Sequence, residues 1–80
     1  MPPSTVVTKD SRAIAAWFAD DKLCLRLADG REVAVPLAWF PSLLTATPAQ
    51  RANWRFVGPG VGLHWEELDE DLSVAGLLAV

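Results

Sequence analysis

The sequence predicts an α+β domain in which an antiparallel sheet of about five strands carries short helices on one face. Two observations indicate this class. Apolar and polar residues alternate in several short segments, as in strands with one buried face. Gly, Pro, Asp and helix-capping residues separate these segments at positions typical of turns and helix starts. The predicted order is β-β-β-α-α-β-β-α: a three-stranded meander, a helical middle, a C-terminal hairpin and a last helix.

The meander begins near Arg12. In the segment RAIAAWF, a period of two places Ile14, Ala16 and Phe18 on one face and Trp17 on the other. Asp20-Asp21 follows with residue types that favour a turn. We therefore expect a first strand that ends in a hairpin.

The next two strands have the most regular pattern in the chain. KLCLRL alternates without interruption, and Ala28-Asp29-Gly30 predicts a hairpin turn, because glycine adopts a positive φ without steric cost. The return strand, REVAVPL, loses a backbone donor at Pro36. The predicted buried face of the meander consists of Leu23, Leu25, Leu27, Val33 and Val35.

Two short helices are predicted in the middle of the chain. Pro41 suits the first position of a helix that turns Leu43 and Leu44 inward. The segment Thr47-Pro48-Ala49-Gln50 has the pattern of a capping box with proline at the first helical position, so a second helix is expected from Pro48 to about Asn53.

The C-terminal third is expected to close the core. Val61, Leu63 and Trp65 alternate with polar or small residues, which indicates a strand after the GPG turn. Ser73 is a plausible N-cap for a last helix. The acidic residues 69–71 then fall near the positive end of that helix dipole, which explains them without any function.

The composition limits the class of protein. Eighty residues with 51% hydrophobic content suit one ordered domain, predicted over residues 12–80, after a loose N-terminal segment or edge strand at residues 1–11. A net charge of −3 argues against nucleic-acid binding. One cysteine excludes an internal disulfide. With no signal peptide or long apolar run, no membrane association is expected and the cytoplasm is the default location.

Catalytic and metal-binding motifs are weak. His64 is the only histidine, and Ser73, Asp69 or Glu66 could approach it in a small hydrolase or a metal-binding protein. No nucleophile elbow, phosphate-binding loop or dinucleotide motif accompanies it, and the segment DEDLS lacks the ligand pattern of a calcium loop. We therefore expect no enzyme activity, no cofactor and no metal.

The aromatic and charged residues offer a different interpretation. Four Trp cannot all share one small core, so some are expected at the surface, where Trp and Arg commonly dominate binding. Alternatively, Trp39, Trp54 and Trp65 close the core and only Trp17 is half exposed. The candidate partner-binding residues are Trp17, Arg31, Trp39, Arg51, His64, Glu66, Glu67, Asp69, Glu70 and Asp71.

Several motifs after Arg12 resemble a bacterial family known as domain of unknown function 2442. They are the Asp29-Gly30-Arg31 turn, Pro36-Leu37, the Pro41 segment, the capped segment 46–54, Leu63-His64-Trp65 and the segment 68–73. The resemblance implies a compact α+β fold that occurs alone or beside other domains, sometimes a helix-turn-helix. It also implies gene neighbours suspected to be toxins. Because this chain ends at Val80, no appended DNA-binding part is expected.

These observations favour a small non-enzymatic domain that binds another protein. An antitoxin-like or regulatory role is expected, with the acidic residues 66–71 meeting a basic, toxin-like partner. A self-associating structural module is the alternative, in which the edge strand at residues 12–18 extends the sheet across a two-fold axis into a homodimer.

Overall fold

A computed structural model describes residues 9–79 and contains two three-stranded antiparallel sheets with a few short helices. The strands are β1 (Ala13–Ala19), β2 (Lys22–Leu27), β3 (Glu32–Pro36), β4 (Arg55–Val57), β5 (Gly62–Trp65) and β6 (Glu70–Ser73). The helices are a 3₁₀ turn (Leu37–Trp39), α1 (Pro41–Leu44), α2 (Pro48–Ala52) and α3 (Val74–Leu78). The α+β class is therefore confirmed, but the single sheet of about five strands is wrong. The strand predicted at Val6 and Val7 lies outside the described residues.

The first sheet is the predicted meander, in the order β1-β2-β3. Leu23, Leu25 and Leu27 of β2 are buried, and Leu23 lies between Phe18 of β1 and Val35 of β3. Val35 is also buried, and Val33 packs against the core from a partly exposed position. Alternation along β2 was sufficient to predict this face, since each second side chain points to the same side of a strand.

The start of β1 differs from the prediction. The register shifts between Ala13, which pairs with Leu27, and Ala15, which pairs with Arg26. Ile14 is the extra residue of this bulge, and it is 57% exposed instead of buried with Phe18. Ala13 takes the core position. A period-two count fails across a bulge, because the inserted residue exchanges the two faces.

The helical middle supplies two buried leucines, Leu37 and Leu43. Leu44, predicted to point inward, is exposed because α1 is a single turn whose one inward position belongs to Leu43. The capping box of α2 is confirmed. The Thr47 hydroxyl accepts a hydrogen bond from the Gln50 N–H, and the Gln50 side chain accepts one from the Thr47 N–H.

The second sheet has the order β4-β5-β6, and β6 was not predicted. Leu63 and Trp65 of β5 are fully buried as expected, whereas Val61, just before β5, is exposed. Residues 69–71 were expected at a helix start. Instead, β6 begins at Glu70, which lies opposite Trp65.

Helix α3 starts where Ser73 predicted. The Ser73 hydroxyl accepts a hydrogen bond from the Gly76 N–H at 2.8 Å, and Val74 and Leu77 are buried. Strand β6 therefore leads directly into this helix, because Ser73 is both the last residue of β6 and the N-cap of α3.

A close backbone contact joins the two sheets at Gly60. The Ala13 N–H donates to the Gly60 carbonyl at 2.8 Å. Gly60 has a φ of +98°, and a Cβ there would lie 2.3 Å from the Ala13 carbonyl oxygen. Only glycine allows this approach. The joint brings both sheets onto one core formed by Ala13, Leu23, Leu25, Leu27, Val35, Leu37, Leu43, Leu63, Trp65, Leu72, Val74 and Leu77.

Candidate functional site

A row of charged side chains crosses the second sheet. The strand registers place Arg55 of β4 opposite His64 of β5, and His64 opposite Asp71 of β6. Glu66, two residues after His64, completes the group. Because neighbours two apart along a strand share a face, the same alternation that buries Leu63 and Trp65 turns His64 to the opposite side.

His64 lies between two carboxylates. Its Nδ1 is 2.6 Å from the Asp71 Oδ1, and its Nε2 is 2.8 Å from the Glu66 Oε2. A neutral imidazole carries one N–H, so only the imidazolium form donates to both carboxylates. Hydrogen bonding to Asp71, and then to Glu66, raises the pKa of His64 above its ordinary value.

This geometry does not assemble the chemistry of a hydrolase or a metal centre. Both ring nitrogens of His64 already face carboxylates, and the Ser73 hydroxyl caps α3. The two carboxylates contact opposite nitrogens of the ring, where they cannot chelate one ion together with the imidazole. Within residues 9–79, no group of three His, Cys, Asp or Glu side chains is placed to hold a metal ion.

Four of the five carboxylates in the acidic segment 66–71 form contacts within their own chain. Glu66 pairs with His64 and lies 3.7 Å from Arg55, while Asp71 pairs with His64. The remaining contacts involve neutral groups: Glu67 with the Gln50 amide and Glu70 with the Ser42 hydroxyl. The acidic residues predicted to meet a basic partner are therefore partly engaged within their own chain.

Asp69 occupies the turn between β5 and β6. Its φ of 50° is left-handed, a conformation that aspartate tolerates better than most residues. In the described part of the chain its carboxylate forms no hydrogen bond or ion pair. Glu67, Asp69 and Glu70 thus keep negative charges without a basic partner in residues 9–79.

Trp39 borders an apolar groove of about 410 Å³. The indole is 53% exposed, so Trp39 does not close the core with Trp65. The groove is lined by Trp39, Phe40, Asp71, Leu72, Ser73, Gly76 and Leu77. Of these, Asp71 is the one residue that the sequence also predicted as a binding residue beside Trp39.

A second groove, of about 320 Å³, lies beside Trp17, whose side chain is 36% exposed and within 5.8 Å of the Arg26 guanidinium. Its lining residues are Ala16, Trp17, Phe18, Pro48, Arg51, Ala52 and Trp54. The Arg51 guanidinium donates to the Leu43 and Leu44 carbonyls at 2.8 and 2.7 Å, at the end of α1. These bonds hold its charged head on the backbone of its own chain.

Arg31 lies in the turn between β2 and β3, and its side chain bonds Asp29 and Ser11. The Asp29 carboxylate also accepts hydrogen bonds from the backbone N–H groups of Arg31 and Asp10. These hydrogen bonds, chiefly those from the Arg31 side chain, lower the pKa of Asp29 to about 2. Arg31 is therefore engaged in the turn, and it forms no hydrogen bond with the other nine predicted residues.

The predicted site residues are thus divided among separate places. Trp39 and Asp71 share the first groove, His64 adjoins Asp71, and Glu66 contacts the other side of the His64 ring. Trp17 and Arg51 share the second groove. Phe40, Leu72, Gly76 and Leu77 were not predicted, because ordinary apolar and small residues carry no signal that separates a groove lining from a core.

The fold and the grooves define a small two-sheet α+β domain with an apolar groove beside an acidic edge strand. The family model "Protein of unknown function (DUF2442)" matches residues 13–80, so the chain belongs to this family and the resemblance is confirmed.

A crystal structure of a protein of unknown function from Rhodospirillum rubrum is similar to this chain. The two are 36% identical, with a TM-score of 0.74 over 85% of this chain and 84% of that one. No curated protein matches the chain. None of the helices in residues 9–79 has the length and apolar character needed to cross a membrane.

Proposed function

We propose that this chain is a non-catalytic domain that binds a basic protein through the groove beside Trp39. The observation that carries the proposal is the half-exposed Trp39 indole on an apolar groove with the Asp71 carboxylate among its lining residues. An antitoxin-like or regulatory role is the biological form that we propose for this binding.

The apolar part of the groove supplies a source of affinity. Leu72 and Leu77 retain 8% and 7% exposure there, and Trp39 offers a broad rigid surface beside them. Burial of an exposed indole under a partner removes a large apolar area from water. Tryptophan is also enriched among the residues that dominate protein interfaces.

The charges favour a basic partner. Glu67, Asp69 and Glu70 have no cationic neighbour in the described residues, and the chain carries a net charge of −3. Such a surface accelerates encounter with a positively charged protein and repels an acidic one. Because exposed charges are screened by salt, the association rate is expected to fall as ionic strength rises.

Site-specific photocrosslinking tests this proposal. A benzophenone amino acid replaces Trp39 in one variant and Ile14, which is 57% exposed on the first sheet, in the control. We expect position 39 to crosslink a basic protein in host cells and position 14 not to do so. The crosslink should weaken when Asp69→Lys and Glu67→Lys reverse the nearby charge. Equal crosslinking at both positions, or a product with an acidic protein, would contradict the proposal.

Self-association is a second candidate, and one observation favours it. Strand β1 lies at the edge of the first sheet, where Ile14 and Trp17 are exposed. An edge strand of this kind can pair with a second copy. Sedimentation of the purified chain tests this alternative: dimers at micromolar concentration that Ile14→Lys disperses would support it, and a monomer would exclude it.

A further inference from the structure

We infer that the outer edge of β6 accepts an extended segment of the partner, which adds a fourth, antiparallel strand to the second sheet. This inference rests on the proposed function and specifies its binding mode. The bound segment alternates basic and apolar residues: the basic ones lie beside Asp71, and the apolar ones fill the groove beside Trp39. Strand addition of this kind takes affinity from main-chain hydrogen bonds and specificity from alternate side chains.

The hydrogen-bond pattern shows which backbone groups are open. The Val74 N–H donates to the Val61 carbonyl at 3.0 Å. Bonded and non-bonded pairs alternate in an antiparallel ladder, so Leu72 bonds β5 through its pair with Leu63, and so does Glu70 through its pair with Trp65. The backbone N–H groups of Asp71 and Ser73 and the carbonyl of Asp71 therefore point to the outer edge. No backbone partner for them occurs among residues 9–79.

The groove beside Trp39 runs along this edge. Asp71, Leu72 and Ser73 are three consecutive residues of β6, and all three line it, with Trp39 and Phe40 contributed by the segment before α1. A strand that pairs with β6 would therefore enter a space already bounded by apolar side chains. Its volume, about 410 Å³, accommodates a few side chains and not a folded domain.

The two faces of β6 determine the side chains of the occupant. Leu72 points to the core face with Leu63, whereas Asp71 points to the opposite face with His64. In an antiparallel pair, residues directly opposite each other share a face. A residue opposite Asp71 therefore meets a carboxylate, of which one oxygen is bound to His64 and the other forms no hydrogen bond with residues 9–79. A Lys or Arg suits that position, and apolar residues suit the flanking ones.

The edge of β1 also borders a groove, which includes Ala16 and Trp17, but its chemistry differs. Among the described residues that line it, the charged one is Arg51 and none is a carboxylate. The N–H at the start of β1, that of Ala13, is already bonded to Gly60. The charges therefore favour binding of a basic segment at the edge of β6 over binding at the edge of β1.

The test uses a synthetic probe, the capped peptide Lys-Leu-Lys-Leu-Lys-Leu-Lys, with the full-length chain. Amide hydrogen exchange and nitrogen-15 spectra follow each backbone N–H and the Trp39 indole. Strand addition predicts a shift of the Trp39 indole signal together with at least about tenfold slower exchange of the Asp71 and Ser73 N–H groups. Docking of side chains alone would move the Trp39 signal without protecting these two N–H groups. That result would overturn strand addition and leave the proposed function standing. No change at either place would overturn the inference.

N-methylated probes locate the hydrogen bonds while leaving the protein unchanged. In the inferred register, lysine N–H groups bond β6 and leucine N–H groups point away. Methylation of the backbone nitrogens of the two inner lysines should weaken binding by about tenfold or more, and methylation of the nitrogen of the leucine between them should have little effect. Any other pattern overturns the antiparallel addition.

A pair of protein variants provides an independent control. Asp71→Ala and Asp71→Pro both lack the carboxylate, but only proline lacks the outward N–H, and proline is tolerated on edge strands. The proline variant should bind the probe more weakly than the alanine variant. Equal affinity of two folded variants would contradict a bond to the Asp71 N–H.

Discussion

Different kinds of contact stabilise the first sheet and the second sheet. Strands β1 to β3 contain five to seven residues, and their buried face is built from alternating aliphatic side chains. Strands β4 to β6 contain three or four residues, and their core face is dominated by the single large side chain of Trp65. The first sheet therefore depends on repeated apolar contacts, whereas the second depends on a few specific ones.

The contacts of Trp65 illustrate this dependence. Its indole N–H donates to the Arg51 carbonyl of α2 at 2.9 Å, and its ring packs against Phe18 in a T-shaped arrangement with ring centroids 6.4 Å apart. One side chain thus connects the second sheet to both a helix and the first sheet. The opposite face of the second sheet carries the charged residues His64 and Asp71.

The largest effect is expected at the joint between the sheets. Gly60→Ala places a Cβ against the Ala13 carbonyl at a positive φ, so the unfolding free energy should fall by about 3 kcal/mol or more. Gly30→Ala is the matched control, because its φ of +94° is similar but no atom lies within 4 Å of the added Cβ. It should lose about 1 kcal/mol. Chemical denaturation measures both, and equal losses would show that the contact at Gly60 is unimportant.

A smaller loss of stability is expected when the hydrogen bond of the Trp65 indole is removed. Trp65→Phe removes the hydrogen bond to Arg51 and leaves a void, so the unfolding free energy should fall by about 2 to 3 kcal/mol. Trp39→Phe, at an exposed position, should change it by no more than about 0.5 kcal/mol. Thermal and denaturant unfolding distinguish the two. A Trp65→Phe variant as stable as the parent would remove the basis of the comparison between the sheets.

The hairpin turns provide a comparison of still smaller size. Asp20, between β1 and β2, and Asp69, between β5 and β6, have left-handed φ values of 54° and 50°. Replacement by Gly removes the steric cost of this conformation, so the unfolding free energy should rise by up to about 0.5 kcal/mol at each site. Replacement by Ala should lower the unfolding free energy by about 1 kcal/mol. Denaturant midpoints measure these changes. A loss with Gly at Asp69 alone would reveal a contact of its carboxylate that the structure does not show.

The two sheets should also lose stability in different pH ranges: the second sheet through His64 as the pH rises, and the first sheet through Asp29 as the pH falls. The pKa of His64 is raised in the folded chain, so its contribution to stability is present below pH 6.5 and is lost as the pH rises through the raised value. The pKa of Asp29 is lowered to about 2, so its contribution is present above pH 3.8 and is lost as the pH falls toward 2.

Unfolding of the parent, His64→Gln and Asp29→Asn chains as a function of pH tests these signs. The difference in unfolding free energy between the parent and His64→Gln should become smaller above pH 6.5. The difference in unfolding free energy between the parent and Asp29→Asn should become smaller below pH 3.8. A proton titration of the His64 ring below pH 6.5 would contradict the carboxylate contacts.

Much of the first sheet could be predicted from local pattern, because β2 alternates without a bulge and Gly30 marks its turn. The caps at Thr47 and Ser73 were predictable for a similar reason, since each acts within its own segment. Ile14 and Leu44 were placed wrongly because a bulge and the length of a one-turn helix decide their directions. Neither feature has a clear local signature.

Strand β6 was missed because acidic residues are uncommon in strands and fit a helix start equally well. Its pairing with β5 brings Asp71 beside His64 and Glu70 opposite Trp65, and Ser42, 28 residues away in the sequence, donates a hydrogen bond to Glu70. Contacts with other elements therefore stabilise what local propensity disfavours. The candidate site could be predicted only in part for the same reason. Trp39 and Asp71 were among the predicted binding residues, but nothing in the sequence indicated that they line one groove.

The sequence by itself determined the α+β class, the meander with its buried leucines, the helix caps and the family, because these follow from periodicity and residue type within short segments. Tertiary structure alone decided the division into two sheets, the joint at Gly60, and the partners of the acidic residues. The division and the joint depend on contacts between residues far apart in the chain, and so do the contacts of Glu67 with Gln50 and of Glu70 with Ser42, which span 17 and 28 residues. Such contacts are fixed by how whole elements pack, and no local pattern records that packing.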